Sequence, residues 1–138
     1  MTALKAAKEA KRQSSDFAIY PVKGSTKVYK GGLVVSKDDG YAYPGVDGSG
    51  YEFLGVAAEN GDNSGSAIDG AVEVRLYKTG IFQFTKASAT QGDVGELAYI
   101  HDDQTVGTSA TTNSIACGYI TAIVDSSTVK VRIDASVK

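Results

Sequence analysis

Three short segments recur in this chain in the same order. Gly31-x-Leu33 followed by Lys37-Asp38-Asp39 returns as Gly95-x-Leu97 followed by His101-Asp102-Asp103, 64 residues on. Leu54-Gly55-Val56 returns as Cys117-Gly118-Tyr119 at an offset of 63, and Val72-x-Val74-Arg75 as Val129-x-Val131-Arg132 at an offset of 57. A shrinking offset is what loop deletions between shared strands produce. The expectation is two related units of roughly 45–50 residues, packed about a pseudo-twofold, since a solenoid needs three or more repeats.

The residues inside these units are strand formers. Val and Ile together outnumber Leu 22 to 5, and Thr adds 11 more β-branched side chains. Such side chains are stiff at χ1 and fit a pleated surface better than a helix. Val72, Val74 and Leu76 alternate with Glu73, Arg75 and Tyr77, and Val129, Val131 and Ile133 alternate with Lys130, Arg132 and Asp134. A period of two is that of a strand with one buried face. Lys78-Thr79-Gly80 reads as a turn that lets Ile81–Thr85 pair back on the strand before it, and Asp125-Ser126-Ser127 joins Tyr119–Val124 to the last strand. Residues 45–50 and 60–70, rich in Gly, Asp, Asn and Ser, read as loops. The fold class expected is mainly β: a small β-sandwich or barrel of two related β units with an extended N-terminal arm.

The charge is uneven along the chain. Residues 1–30 carry seven bases against two acids (+5), and residues 31–138 carry seven bases against fourteen acids (−7). Residues 3–13 are good helix formers with one large apolar side chain, Leu4, so a helix there has no face to bury. Residues 1–25 are expected to be an arm that orders against a partner, and residues 26–138 the β domain, with repeat-like halves at about 27–85 and 91–134. Within the arm Pro21 interrupts the apolar run Phe17, Ile19, Tyr20 and Val22, which suits a sheet edge or an extended segment. Such a segment can add a strand to an exposed sheet edge of a partner, with Phe17, Ile19 and Tyr20 filling pockets and Lys5, Lys8, Lys11 and Arg12 meeting an acidic surface.

Enzymatic chemistry finds little to work with. A single cysteine, Cys117, permits neither an internal disulfide nor a thiolate zinc site, and it lies in the apolar run SIACGYI. His101 is the one histidine and has no recognisable nucleophile elbow. The pairs Asp38/Asp39 and Asp102/Asp103 fall where a hairpin turns, and neighbours on a strand point to opposite faces. Asp47–Gly50 and Asn60–Gly65 are oxygen-rich but lack the twelve-residue calcium-loop pattern, so turns are the simpler reading. No phosphate-binding glycine motif is present, and no run approaches 18 apolar residues. The opening MTALKAAKEAKRQSSDF lacks an apolar h-region and is not expected to be a secretory signal. Tyr41, Tyr43 and Tyr51 cluster in one region, but Asp38, Asp39, Asp47 and Glu52 surround them and repel phosphate. Contact with protein is therefore expected rather than with nucleic acid or membrane. No catalytic residue, metal or cofactor is expected. A carbohydrate-binding or adhesion module on a virion fibre, stacking sugars on Tyr41, Tyr43 and Tyr51, is the alternative.

Over residues 27–134 the segments Gly-x-Leu-Val-Val, Leu-Gly-Val-Ala-Ala, Val-Glu-Val-Arg-Leu, Gln91-Gly92-Asp93-x-Gly95-x-Leu97-Ala98-Tyr99, Ala116-Cys117-Gly118-Tyr119 and Val129-Lys130-Val131-Arg132 resemble the head decoration (cement) proteins of tailed bacteriophages. The resemblance implies a β module without enzymatic activity on the outer surface of a virion capsid, made in the host cytoplasm. It further implies a homotrimer whose N-terminal arm orders against the major capsid protein.

Overall fold

The computed structural model describes residues 5–7 and 16–134. Its strands are β1 (Phe17–Pro21), β2 (Lys27–Val28), β3 (Leu33–Ser36), β4 (Ala42–Pro44), β5 (Glu52–Ala57), β6 (Gly61–Asp62), β7 (Glu73–Tyr77), β8 (Thr79–Thr85), β9 (Leu97–Ile100), β10 (Val106–Gly107), β11 (Ala116–Asp125) and β12 (Thr128–Asp134). A 3-10 turn, Gln91–Asp93, interrupts them. The class is mainly β, as the β-branched composition and the alternation require.

The two halves have one topology. The first sheet runs β1-β7-β5-β3-β4, and the second runs β8-β12-β11-β9-β10, each antiparallel throughout. Each sheet curls until its edges meet at a single parallel bridge, Val22 with Ala42 in the first unit and Thr85 with Thr105 in the second. The repeat extends to single hydrogen bonds. Gly31 N–H donates to Ala57 O at 2.8 Å and Ala57 N–H to Gly32 O at 2.9 Å; Gly95 N–H donates to Ile120 O at 2.8 Å and Ile120 N–H to Glu96 O at 3.0 Å. The same irregularity of register also falls at the same place, between Val34 and Val35 opposite β5 and between Ala116 and Gly118 opposite β9.

The pairing corrects three expectations. Phe17–Pro21 is not part of a free arm but the edge strand of the first sheet, in register with β7 from Phe17–Tyr77 to Pro21–Glu73. Ile81–Thr85 does not fold back on β7; β8 pairs with β12 from Thr128–Thr85 to Asp134–Thr79. The chain leaves one sheet for the other at Lys78, so the repeats run Phe17–Tyr77 and Thr79–Asp134 rather than 27–85 and 91–134. Ala18-Ile19-Tyr20 and Gly80-Ile81-Phe82 are a fourth echo, too plain in composition to stand out. The third correction concerns symmetry. Along β3 all four residues are buried. Val34 faces its own unit with Val22, Val28, Ala42, Ala57, Val74 and Leu76. Leu33, Val35, Phe53 and Val56 face the other way and join one cluster with Phe84, Ile100, Cys117, Ile120, Val131 and Ile133 of the second unit. Their counterparts in the second unit, Leu97, Tyr99, Ala116 and Tyr119, are absent from that cluster. A twofold would bury equivalent faces alike, so the units stack head to tail.

Two glycine positions fix the repeat. A Cβ on Gly55 would collide with the carbonyl oxygen of Tyr77, and one on Gly118 with that of Arg132. Gly31 and Gly95 hold φ of +84° and +90°, which β-carbon sterics disfavour. Gly55→Ala and Gly118→Ala are each expected to lower stability by about 3 kcal/mol through overpacking, and Gly31→Ala and Gly95→Ala by about 1–2 kcal/mol through left-handed strain. Urea denaturation of the four variants checks the ranking and the equivalence within each pair.

Candidate partner-binding surfaces

The residues expected to meet a partner divide into three groups. Lys8, Lys11 and Arg12 lie outside the described residues, and Lys5 is exposed. On β1, strand alternation sends Phe17 and Ile19 outward, 41% and 63% exposed. Tyr20 turns inward instead: it packs on the first unit's core, and Lys78 Nζ donates to its hydroxyl at 3.0 Å. Phe17 does not stand alone. Its ring lies 4.9 Å from Tyr77, Tyr77 lies 5.3 Å from Phe82, and the Arg75 guanidinium sits 5.3 Å over Phe17. The result is an apolar strip with one cation along the edge of the first sheet.

The three tyrosines form no open stacking platform. Tyr43 and Tyr51 meet edge to face, with ring centroids 5.3 Å apart. Lys37 Nζ sits 4.8 Å from the Tyr51 ring and Lys23 Nζ 5.6 Å from the Tyr41 ring. Tyr43 donates its hydroxyl to Asp39 at 2.5 Å, and Lys23 bridges Asp39 at 3.3 Å and Asp69 at 3.2 Å. Burial first and the Asp39 hydrogen bond second push the Tyr43 phenol up to about 12. The same hydroxyl, then the Tyr41 amide and Lys23, hold Asp39 below its ordinary value. This corner ties the β3–β4 turn to the 60–70 loop. Its charges are spent largely on one another.

The carboxylates that invite a catalytic or calcium-binding reading, Asp39, Asp102, Asp47 and Asp62, are likewise engaged locally. Asp39 and Asp102 accept backbone N–H groups two residues on, from Tyr41 and Gln104, as turn residues do. Asp47 accepts from Thr111 Oγ1 and Asn113 N–H, both at 3.0 Å, and pins a loop of the first unit to one of the second. Asp62 accepts from Ser64. Cys117 is fully buried, and that burial pushes its thiol up to about 12, so it stays protonated. His101 is exposed in the β9–β10 turn, where its N–H donates to Thr105 O. No helix among the described residues is long and apolar enough to cross a membrane.

The sequence did not point to a groove of about 500 Å³ on the outer face of the second unit. Leu97, Ala116, Tyr119 and Asn113 line it together with Tyr51 and Phe53 of the first unit, and Glu52 and Asp134 contribute carboxylates. Tyr119 is 55% exposed, and it continues across the sheet through Arg132 to Ile81, 56% exposed. The repeat could have marked this face, since Tyr119 and Leu97 occupy the positions of Val56 and Leu33. Nothing in the sequence says which copy of the face is covered. No protein-family model, curated protein or solved structure matches this chain.

Two expectations follow from the titrating groups. Tyr43 is expected to ionise at about 12 rather than 10.0, followed by ultraviolet difference titration against the Tyr43→Phe variant. Asp39→Asn should return only part of that shift, because burial is its larger cause. Asp39, Asp47, Asp62, Asp69, Asp93 and Asp125 all have carboxyls held below 3.8 by hydrogen bonds, whereas Asp103 is raised, by burial and then Asp102. A carboxyl depressed on folding contributes stability that is full above its unfolded value and lost as the pH falls through the folded one. Asp103 contributes with the opposite sign. Thermal stability should therefore be flat near neutrality and fall below about pH 4, as circular-dichroism melts across pH 2–7 would record.

Proposed function

We propose that this chain is a non-enzymatic decoration (cement) protein on the outer surface of a tailed-phage head, where it bridges major capsid protein subunits and stabilises the shell. The observation that carries the reading is the position of the resembling segments. They coincide with β3, β5, β7 and their repeats β9, β11 and β12, together with the glycines that set the strand contacts. The resemblance therefore rests on what makes the fold, not on loop composition.

The physical means of bridging are a stiff body and a cationic leader. The body has two cores joined by one central strand, so its outer surfaces keep a fixed spacing. Residues 1–16 precede β1 directly, and sixteen extended residues reach roughly 55 Å. Their lysines and Arg12 raise the association rate with an acidic surface. Phe17 and Ile19 stand exposed where the leader enters the body. Their backbone already pairs with β7, so they offer side chains rather than an added strand. In a trimer three weak leader contacts act together, with an avidity gain of about 10² or more, and a clamp on several subunits opposes their separation under internal pressure. Lys23 and Lys37 sit over the Tyr41 and Tyr51 rings and Tyr43 packs edge to face with Tyr51, so these rings are already engaged where a sugar would stack, which favours a protein partner over a glycan.

Deletion of residues 2–16 leaves every described strand intact and is expected to abolish binding to expanded, undecorated shells in co-sedimentation. Undiminished occupancy would reject the leader as the anchor.

A further inference from the structure

The outward positions of the matching strands differ almost everywhere. Along β7 and β12 they read Glu73, Arg75 and Tyr77 against Lys130, Arg132 and Asp134. Along β1 and β8 they read Phe17, Ile19 and Pro21 against Thr79, Ile81 and Gln83. The places that agree are cross-strand partners: Ile19 lies opposite Arg75 in one ladder, and Ile81 opposite Arg132 in the other. The isoleucines are 63% and 56% exposed and both arginines are exposed, so core packing does not demand these residues. We propose that the two Ile–Arg pairs, one per unit, are equivalent docking patches, and that each takes a carboxylate beside an apolar side chain on one of two like copies of an acidic protein partner.

No other exposed large apolar side chain among the described residues is matched in this way. Tyr29, Val46 and Val94 correspond to Asp93, Ala110 and Lys30, Phe17 to Thr79, and Tyr119 to the buried Val56. Ile68 and Val124 fall where the offset drops from 63 to 57, and neither has a counterpart. The chemistry of the partner follows from the pair. Among the described residues all four ion pairs use lysine, and neither guanidinium meets a carboxylate. A planar fork beside an aliphatic side chain fits a carboxylate with an apolar neighbour, held by two parallel hydrogen bonds. A phosphate polymer would satisfy the fork too, but residues 31–138 carry seven bases against fourteen acids and repel a polyanion. Repetition of the patch implies repetition in the partner. Two like sites on one rigid body meet two like elements, and contacts that are weak singly act together. The inference rests on the capsid reading in one respect, that a shell of identical subunits is such a partner. The leader then makes the first contact, and the patches hold two neighbouring subunits.

Two experiments separate the inference from that reading. In the first, the full chain labelled at its isoleucine δ1-methyl groups is titrated with acetyl-Leu-Glu-Leu-amide and followed by NMR. The Ile19 and Ile81 signals are expected to shift with one common midpoint, and Arg75→Ala or Arg132→Ala to silence its own isoleucine alone. Ile68, 70% exposed and in no ladder, is expected to stay still. A shift at one site only, at neither, or equally at Ile68 would overturn the inference. In the second, co-sedimentation with expanded, undecorated shells should show each alanine change weakening binding by about tenfold, as loss of one charge-assisted pair implies. Arg75→Lys and Arg132→Lys should recover part of it, because lysine keeps the charge and loses the fork. Both positions are exposed, so the variants should melt with the parent. Undiminished binding by both alanine variants, or loss from one alone, sinks the inference and leaves the capsid reading in place. Matched peptide shifts in a chain that ignores shells would remove the capsid reading and leave the patches standing.

Discussion

The whole molecule depends on the burial of one sheet on both faces. Leu33 and Val35 alternate with Val34 and Ser36 along β3, and all four are buried. Val34 belongs to the core of the first unit and Leu33 and Val35 to that of the second. A strand buried on both sides reads as a continuous apolar run, which is how Leu33-Val34-Val35 reads. Truncation of such a side chain would leave a cavity facing two cores, at a cost of about 2–5 kcal/mol for Leu→Ala. Through this strand each unit lends the other the surface that a five-stranded unit of some 60 residues has difficulty burying alone.

Head-to-tail stacking has a consequence that a twofold would not. It leaves one outer face and one interior unmatched at the ends of the pair. The chain deals with the interior by an insertion. In the first unit β2 and β6 form a two-stranded ribbon over the opening, and Asn63, beside β6, donates its side-chain amide to Val22 O and Ile68 O to hold the loop down. At the corresponding place the second unit has only the Gln91–Asp93 turn, fixed by the Lys86–Asp93 ion pair at 3.1 Å. It needs no ribbon because the first unit already covers it.

Much of this was legible in the sequence. The repeated Gly-x-Leu and x-Gly-x segments identified the strands that carry the shared hydrogen bonds, and the alternation at Val72–Tyr77 and Val129–Asp134 identified β7 and β12. Order of packing was not legible, because offsets between repeats are the same for a twofold and for a head-to-tail stack. Lys78-Thr79-Gly80 looked like a hairpin turn since local chemistry does not reveal that the next partner, β12, lies 50 residues on. Phe17, Ile19 and Tyr20 read alike in the sequence, as residues of an arm that fill a partner's pockets, because a strand's alternation cannot separate the inward Tyr20 from the other two until the strand is known to belong to the first sheet. The tyrosine cluster was found and its state was not. Tyr43 and Tyr51 are neighbours through the β3–β4 and β4–β5 connections, and their engagement with Asp39 and Lys37 depends on loop geometry that composition does not encode.

The two outer faces have diverged in the direction their surroundings demand. Where the first unit has Phe53 and Val56, the second has Ala116 and Tyr119. Exchange of Phe for Ala withdraws a ring from the face and opens the groove, and exchange of Val for Tyr adds a large side chain with a polar tip. Leu33 is matched by Leu97, and Val35 by Tyr99, again a gain of one hydroxyl. A face sealed permanently within the chain carries groups with no polar atom to satisfy. A face that meets water for part of its life carries rings that bury area at low entropic cost and keep a hydrogen-bonding end. The same strand framework thus supports a permanent junction and an open surface, and three side chains make the difference.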